Sequence, residues 1–372
     1  MAHIALNAHL LAGPATYRSA GIHQYIANLL AHLPAADPAL RYTVFVGEGQ
    51  PQMPGATIQR SRWPTARPVP RIAWEQLAQP VALWRTRPNL LHSLAFASPL
   101  LNSCPAVVTV YDLSFKLMPE RFWPAQRLYL SAFTAHSCRR ARRVIAISHS
   151  TQADVARVFG IPLDKIDVAP PGVDAAFRPL PRPEVEAFRA AKGLPEKFIL
   201  YLGTLEPRKN LNTLIRAFAN LQSAISNHKL VLAGAKGWLY ADLFRLTQAL
   251  KLEGDVFFPG FVPAAELPLW YNAASVFAYP SAYEGFGMPV LEALACGVPV
   301  VTSNVSSLPE AGGEAAWQVP PEDVSALTEA LRAALNAAPD RLAQGRAHAA
   351  RFTWANTATQ TVACYHRALG DD

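Results

Sequence analysis

The chain has 372 residues, of which 51% are hydrophobic and 16% charged. That balance excludes a long disordered chain and suggests two domains, each large enough for its own core. A net charge of +7 favours an acidic partner: a phosphorylated small molecule, an anionic membrane or a nucleic acid.

No apolar run reaches the ~18 residues of a membrane span. Cys104, Cys138, Cys296 and Cys364 lie far apart and form no metal-ligand pair, as expected of a reduced, cytoplasmic protein. The start "MAHIALNAHLLAG" lacks a basic leader region and reads as a first strand.

In chain order, "HIALNAHL" is strand-like, and "GIHQYIANLLAHL" spaces Ile22, Tyr25, Ile26, Leu29 and Leu30 along one helical face. The runs "RYTVFVG", "NLLHSL", "AVVTVYDLS" and "RRVIAIS" follow, and "KIDVAPPGVD" closes the first half. Continuous rather than alternating apolar runs predict parallel strands covered by helices on both faces. "RPLPRPEVEAFRAAKGLPEK" is rich in proline and charge and reads as a linker holding a short helix.

The strand–helix rhythm then resumes. "FILYLGTL" leads to "NLNTLIRAFANLQ", "KLVLAG" to "WLYADLFRLTQAL", "DVFFPGF" to "AAELPLWYNAA", and "SVFAYPS" to a helix beginning near Pro289. "VPVVTS", "DVSALTEALRAAL" and "TWANTATQTVACYHRAL" complete the chain. The expected organisation is a doubly wound α/β domain over 1–175, a linker over 176–196, a second such domain over 197–351, and a last helix over 352–372 packing back on the first domain. Ligands of such sheets sit beyond the carboxyl ends of the strands.

Three loops are placed there. In "YEGFGMPVLEA", Glu284 and Glu292 stand eight positions apart around Gly285, Phe286, Gly287 and Met288. The glycines let the backbone turn close to a ligand, and Pro289 suits a first helical turn. Amides near Met288 to Leu291 form an anion site at the helix N-terminus, while the two acids suit sugar hydroxyls. An acidic first turn that merely complements the helix dipole is the plainer alternative. In "YLGTLEPRKNLN", Arg208 and Lys209 follow a strand ending at Gly203 and are placed to clamp a pyrophosphate; a solvated basic pair is the alternative. The loop "GPATYRSAGIHQY" offers Arg18 and Gly21, though a simple turn also explains it.

Over essentially its whole length the chain resembles a retaining glycosyltransferase of family 4, with the GT-B fold. The E-x7-E spacing of Glu284 and Glu292, "GTLEPRKN", "GAKGW", "FPGFV" and "HSCRRARRVIAISHST" carry the likeness in order. Their wording is most similar to bacterial mannosyl- and related hexosyltransferases of polysaccharide assembly.

The resemblance implies two Rossmann-like domains facing each other across a cleft, the first on the acceptor side and the second binding the nucleotide sugar. It implies that Arg208 and Lys209 hold the donor pyrophosphate. Glu284 would lie by the sugar, Glu292 at the ribose, and the amides of Gly285, Phe286, Gly287 and Met288 at sugar and phosphate. The main chain at Phe261 and Val262 would meet the base, Gly21 would complete the phosphate pocket, and Tyr111 and Asp112 would face sugar or acceptor. Thr204 and Tyr111 depart from the arginine and histidine that many relatives carry. Tyr111 also reads as an aromatic packed in a wall.

No D-x-D pair is present and the ten histidines, His3 and His9 among them, are scattered. Metal-independent hexose transfer, with no cofactor, is the expectation. GDP-mannose is the first donor to consider and UDP-glucose the next. A nucleotide-sugar epimerase of the same fold and a non-catalytic nucleotide-sugar-binding protein remain as rivals. A nucleic-acid partner is disfavoured because the arginines of "HSCRRARRVIAIS" lack interleaved aromatics. Arg139, Arg140, Arg142, Arg143, Arg60, Arg62, Arg67 and Arg71, with Trp63 and Trp74, form either a solvated basic face with packed tryptophans or a contact with anionic membrane.

Overall fold

The computed structural model describes residues 1–11, 21–222, 227–237 and 240–370. Arg18 and Trp238 therefore lie outside the described residues. The chain divides into two compact units: 1–172 together with 353–372, and 173–352.

The first unit is built on β1 (His3–Asn7), β2 (Arg41–Val46), β3 (Thr57–Arg60), β4 (Leu90–Ser93), β5 (Ala106–Val110), β6 (Arg143–Ala146) and β7 (Ile166–Val168). All pair in parallel, in the order β3-β2-β1-β4-β5-β6-β7. Strands such as "AVVTV" are buried throughout because helices cover both faces, and β-branched side chains fill a pleated surface covered on two sides. The short edge strand β3 and the helical run over 68–86 were not among the elements read from the sequence.

The second unit holds β8 (Phe198–Leu202), β9 (Lys229–Ala233), β10 (Val256–Gly260), β11 (Val276–Tyr279), β12 (Val300–Ser303) and β13 (Trp317–Val319), in the order β10-β9-β8-β11-β12-β13. The helices Leu211–Leu221 and Val324–Leu335 pack on each other and bury Leu214, Ile215, Phe218, Leu327 and Leu331. Asp323 starts the second of them by accepting from the Ala326 amide at 2.8 Å, one of the orphan donors of a helix start.

The segment 176–196 is not a free linker. Its helix Arg182–Ala191 belongs to the second unit and packs on the helix Leu267–Ala273, with Phe188 edge-on to Trp270 at 5.8 Å. The last helix, Trp354–Leu369, packs on the helix Gly21–Ala36 in the first unit. Thr353 caps it by accepting from the Asn356 amide at 3.1 Å. The Tyr365 hydroxyl lies 2.7 Å from His92 Nδ1 in the core.

Candidate active site

In a doubly wound sheet, the crevice for a ligand opens where successive connections run to opposite sides. In the second unit that point falls between β8 and β11, which are neighbours although β9 and β10 lie between them in the chain. The loops after these two strands carry Arg208, Lys209 and Glu284.

The structure brings those three side chains into direct contact. Lys209 Nζ donates to Glu284 Oε1 at 2.6 Å and to the Tyr279 hydroxyl at 2.6 Å. Arg208 Nη1 lies 2.7 Å from Glu284 Oε2 and donates to the Tyr283 carbonyl at 2.8 Å. Arg208 also donates to Glu206 Oε1 through Nε at 3.0 Å and Nη2 at 2.8 Å. Lys209 is only 6% exposed, so the solvated-pair reading of "PRK" does not hold. Its ammonium sits 4.8 Å above the Tyr279 ring, which itself stacks on Tyr201.

Burial alone would raise the Glu284 carboxyl, but Arg208 and then Lys209 outweigh it and hold it down to about 2. The Lys209 ammonium is pushed below its ordinary value by burial and by the like charge of Arg208, with Glu284 opposing. Counting Glu206, two cations and two carboxylates balance in formal charge. Removing one member of such a buried set strands the others, at a cost on the order of 3–5 kcal/mol.

The loop that presents Glu284 is fixed from below. Its amide donates to Ser306 Oγ at 3.0 Å, and Ser307 Oγ lies 2.9 Å from the Glu284 carbonyl and 2.8 Å from that of Phe286. Gly285, Phe286 and Gly287 are buried. Gly287 adopts φ +108°, and a Cβ there would come 2.9 Å from Leu308 Cδ2, so only glycine fits. The helix Met288–Ala295 follows. Its anion site is narrower than the sequence suggests, because Pro289 has no N–H and the Val290 amide returns to the Gly287 carbonyl at 2.9 Å.

Glu292 does not join the cluster around Glu284. Its Oε2 accepts from the Tyr271 hydroxyl at 2.8 Å, and no cation pairs with it among the described residues. Burial pushes its carboxyl up to about 7, with the Tyr271 hydrogen bond opposing and Asp174 adding to the rise. The two acids of E-x7-E therefore sit in opposite electrostatic settings.

Gly203 ends β8 against the loop after β9: its amide donates to the Ala233 carbonyl at 3.0 Å, and a Cβ on Gly234 would fall 1.8 Å from the Gly203 carbonyl oxygen. Past the end of β10, Phe261 is 61% exposed and Val262 is buried.

In the first unit, Gly21 is exposed at the start of its helix with open space around it. Asp112 Oδ1 accepts from the Ser114 amide at 2.8 Å and from its hydroxyl at 2.6 Å, so it starts a short turn. Tyr111 is buried, edge-on to Tyr25 at 5.3 Å, and donates to the Leu94 carbonyl at 2.8 Å. Burial raises its phenol well above the ordinary value, so it stays neutral and packs as a wall.

Sequence reasoning did not single out Glu206, Tyr271, Tyr279, Ser306 or Ser307. Tyr279 and Glu206 had a local signal, since each flanks a singled-out loop. The pairing of Tyr271 with Glu292 had none. Of the two readings given for Trp74, the packed one holds: it is buried against Phe45 at 5.8 Å. Arg143 pairs with Asp167. Among the described residues no cluster of three or more His, Cys, Asp or Glu side chains is placed to hold a metal.

Residues 184–351 match the family "Glycosyl transferases group 1", and residues 19–177 match "Glycosyltransferase Family 4". The chain is 35% identical to O-antigen chain mannosyltransferase B of Escherichia coli over 268 residues, 70% of each chain. It is 28% identical to the serotype-specific mannosyltransferase WbdA of Escherichia coli over 79% of this chain but only 38% of that protein. The fold superposes on sucrose-phosphate synthase from Thermosynechococcus elongatus with a TM-score of 0.77, at 24% identity and full coverage of both chains. The family matches and the 35%-identical relative show a sugar-transferring enzyme. The chain belongs to the glycosyltransferases of GT-B fold.

Proposed function

We propose that this chain is a retaining family 4 hexosyltransferase that takes mannose from GDP-mannose and passes it to a glycan or lipid-linked acceptor in polysaccharide assembly. The second unit takes the donor and the first the acceptor. The carrying observation is the buried Arg208–Lys209–Glu284 cluster at the switch point between β8 and β11. The mannosyltransferase relatives support the choice of sugar.

The chemistry follows from the cluster. In the resting site both cations are satisfied by carboxylates. A diphosphate offers four or more oxygens and draws Arg208 and Lys209 away from Glu206 and Glu284. Glu284 is then free to face the sugar. As the bond from anomeric carbon to phosphate breaks, its electron pair stays on the phosphate oxygen, whose growing charge the two cations stabilise. The acceptor hydroxyl bonds to the anomeric carbon on the same face, and its proton passes to that phosphate oxygen. Glu292 accepts from the ribose hydroxyls, and the main chain at Phe261 and Val262 meets the base. The cations serve where other enzymes use a metal ion, so transfer proceeds without one.

A thermal-shift screen with GDP, UDP, ADP and their sugars tests the donor. A ligand at ~100 times its Kd adds about 2.7 kcal/mol, and GDP-mannose is expected to give the largest shift. A larger shift with UDP-glucose would replace mannose as the substrate. NMR of the product must show the donor's anomeric configuration. Loss of turnover in EDTA with recovery in magnesium would overturn metal independence.

A further inference from the structure

The loop after β12 carries a backbone conformation that its residue type does not favour. Ser306 adopts φ +52°, the left-handed region in which an L side chain crowds the following carbonyl and glycine or asparagine is the ordinary occupant. Arg87 and Lys251 share that sign of φ, but both stand just past a helix end, where a left-handed residue closes the last turn. Ser306 closes no helix: it follows β12 and precedes the short helix Leu308–Gly312. Strain of this kind persists only where surrounding contacts hold it, and it gathers at functional sites.

The contact that Ser306 makes is with Glu284. Its Oγ accepts from the Glu284 amide at 3.0 Å, and Oγ of the next residue, Ser307, lies 2.9 Å from the Glu284 carbonyl. One dipeptide thus reaches both main-chain polar groups of a buried glutamate. Two residues before Glu284, the Ala282 amide donates to the Arg208 carbonyl at 2.9 Å, so the loop is anchored on both sides. The carboxylate is held separately, by Arg208 and Lys209. In the proposed reaction those cations turn to the diphosphate and the carboxylate loses them. The contacts from Ser306 and Ser307 involve neither cation, so they persist when both turn away. A glycine at 306 would relieve the strain but remove the oxygen, leaving a buried amide without this acceptor. An alanine would remove the oxygen and keep the strain.

We infer, on the reading of Glu284 given above, that Ser306 is a positioning residue for sugar transfer: its hydroxyl keeps Glu284 aimed at the sugar while the two cations hold the diphosphate. The strain at φ +52° is retained because glycine, which fits the backbone, has no oxygen to offer.

The test reads melting temperature and release of nucleoside diphosphate from GDP-mannose, or from UDP-glucose where that donor gives the larger thermal shift, to water and to a mannoside acceptor. Ser306→Ala should lower both melting temperature and kcat. Ser306→Gly should melt above Ser306→Ala, yet its kcat should be no higher. In both, kcat should fall about tenfold or more, less than for Glu284→Gln, with KM for the donor within about twofold. The double variant Glu284→Gln/Ser306→Gly should turn over within about twofold of Glu284→Gln alone, because a residue that acts through another adds little once that other is gone. Should Ser306→Ala fail to fold, Ser306→Gly and Ser306→Asn make the same comparison: both suit a left-handed backbone, only asparagine brings an oxygen, and only asparagine should recover kcat. A role in stability alone would let kcat recover with the melting temperature in Ser306→Gly, and that result would overturn the inference. So would wild-type kcat in Ser306→Gly beside a slow Glu284→Gln, or losses that multiply in the double variant. Normal turnover by Glu284→Gln itself would overturn the reading of Glu284 and this inference together.

Discussion

The two sheets share a winding but differ in what they place at the switch point. Between β8 and β11 stand Arg208, Lys209, Glu206 and Glu284, all formally charged and tightly paired. Between β1 and β4 the groups are mostly amides and hydroxyls, with the buried Glu75 beside Arg71 as the charged exception. Asn7 donates to Gln79 Oε1 at 3.3 Å, Ser98 donates to Ser93 Oγ at 2.8 Å, and His92 is kept neutral by burial, which lowers it to about 3. Charge at one pole suits a diphosphate, whose oxygens need cations. Amides and hydroxyls at the other suit an uncharged ligand, or serve only to satisfy buried groups. The same backbone plan thus acquires its chemistry from a few residues beyond strand ends.

The largest expected effect breaks the charged pole. Glu284→Gln should lower kcat on the order of 10²-fold or more, measured under donor saturation. It should also lower the melting temperature, because Lys209 then stands buried without a carboxylate and Arg208 keeps only Glu206. A nucleoside diphosphate should raise the melting temperature of this variant more than that of the wild type, since it supplies the missing negative charge. A variant that melts and turns over like the wild type would remove Glu284 from the mechanism.

Next comes Lys209→Met, which keeps the length of the side chain and removes the charge. It should weaken donor binding roughly 10- to 100-fold, the range for a hydrogen bond to a charged group, read by calorimetry. An unchanged Kd would assign the diphosphate to other groups.

A smaller effect separates the two acids by pH. Glu292 has a folded pKa of about 7, above its ordinary 4.5, so the native state holds an extra proton between those values. The contribution of this group to stability should therefore fall as pH rises from 4.5 to about 7, so the stability of the wild type relative to Glu292→Gln should decline over that rise. Over the same rise the ionised carboxylate becomes the stronger acceptor for ribose hydroxyls, so affinity for the nucleotide sugar should grow. The diphosphate of a nucleotide sugar does not titrate in that range, which keeps the readout clean. A pH dependence that persists unchanged in Glu292→Gln would point to another group. Glu284, held down to about 2, stays ionised throughout.

The smallest effect probes the other pole. Gln79→Ala should leave nucleotide affinity within about twofold, as expected of energetically independent sites. A larger change would show that the two poles are not independent.

Much of this was legible in the sequence. Continuous apolar runs predicted parallel strands, and the turn chemistry after "FILYLG" and "SVFAYPS" marked the two loops that meet. What the sequence could not convey was the choice of partners across long separations. Lys209 and Glu284 lie 75 positions apart, and Tyr271 and Glu292 lie 21 apart on different helices. Neither separation follows a helical or strand period. Burial was equally hard to read: Trp74 and Trp84 look alike in a basic, proline-rich stretch, yet the first is buried and the second exposed. Tyr111 stands next to Asp112, but its hydroxyl already donates to the Leu94 carbonyl.

The division of the chain has a consequence for its synthesis. The second unit is continuous, from Val173 to Phe352, whereas the first is completed only by the segment from Thr353. As the chain leaves the ribosome, domains ordinarily fold in order from the amino end. Here the first 172 residues emerge without the helix that covers Tyr25 and His92, while the second unit can close as soon as Phe352 is out. The earlier-made unit is thus the later to finish, and until Tyr365 reaches His92 its core stays open to chaperones and proteases.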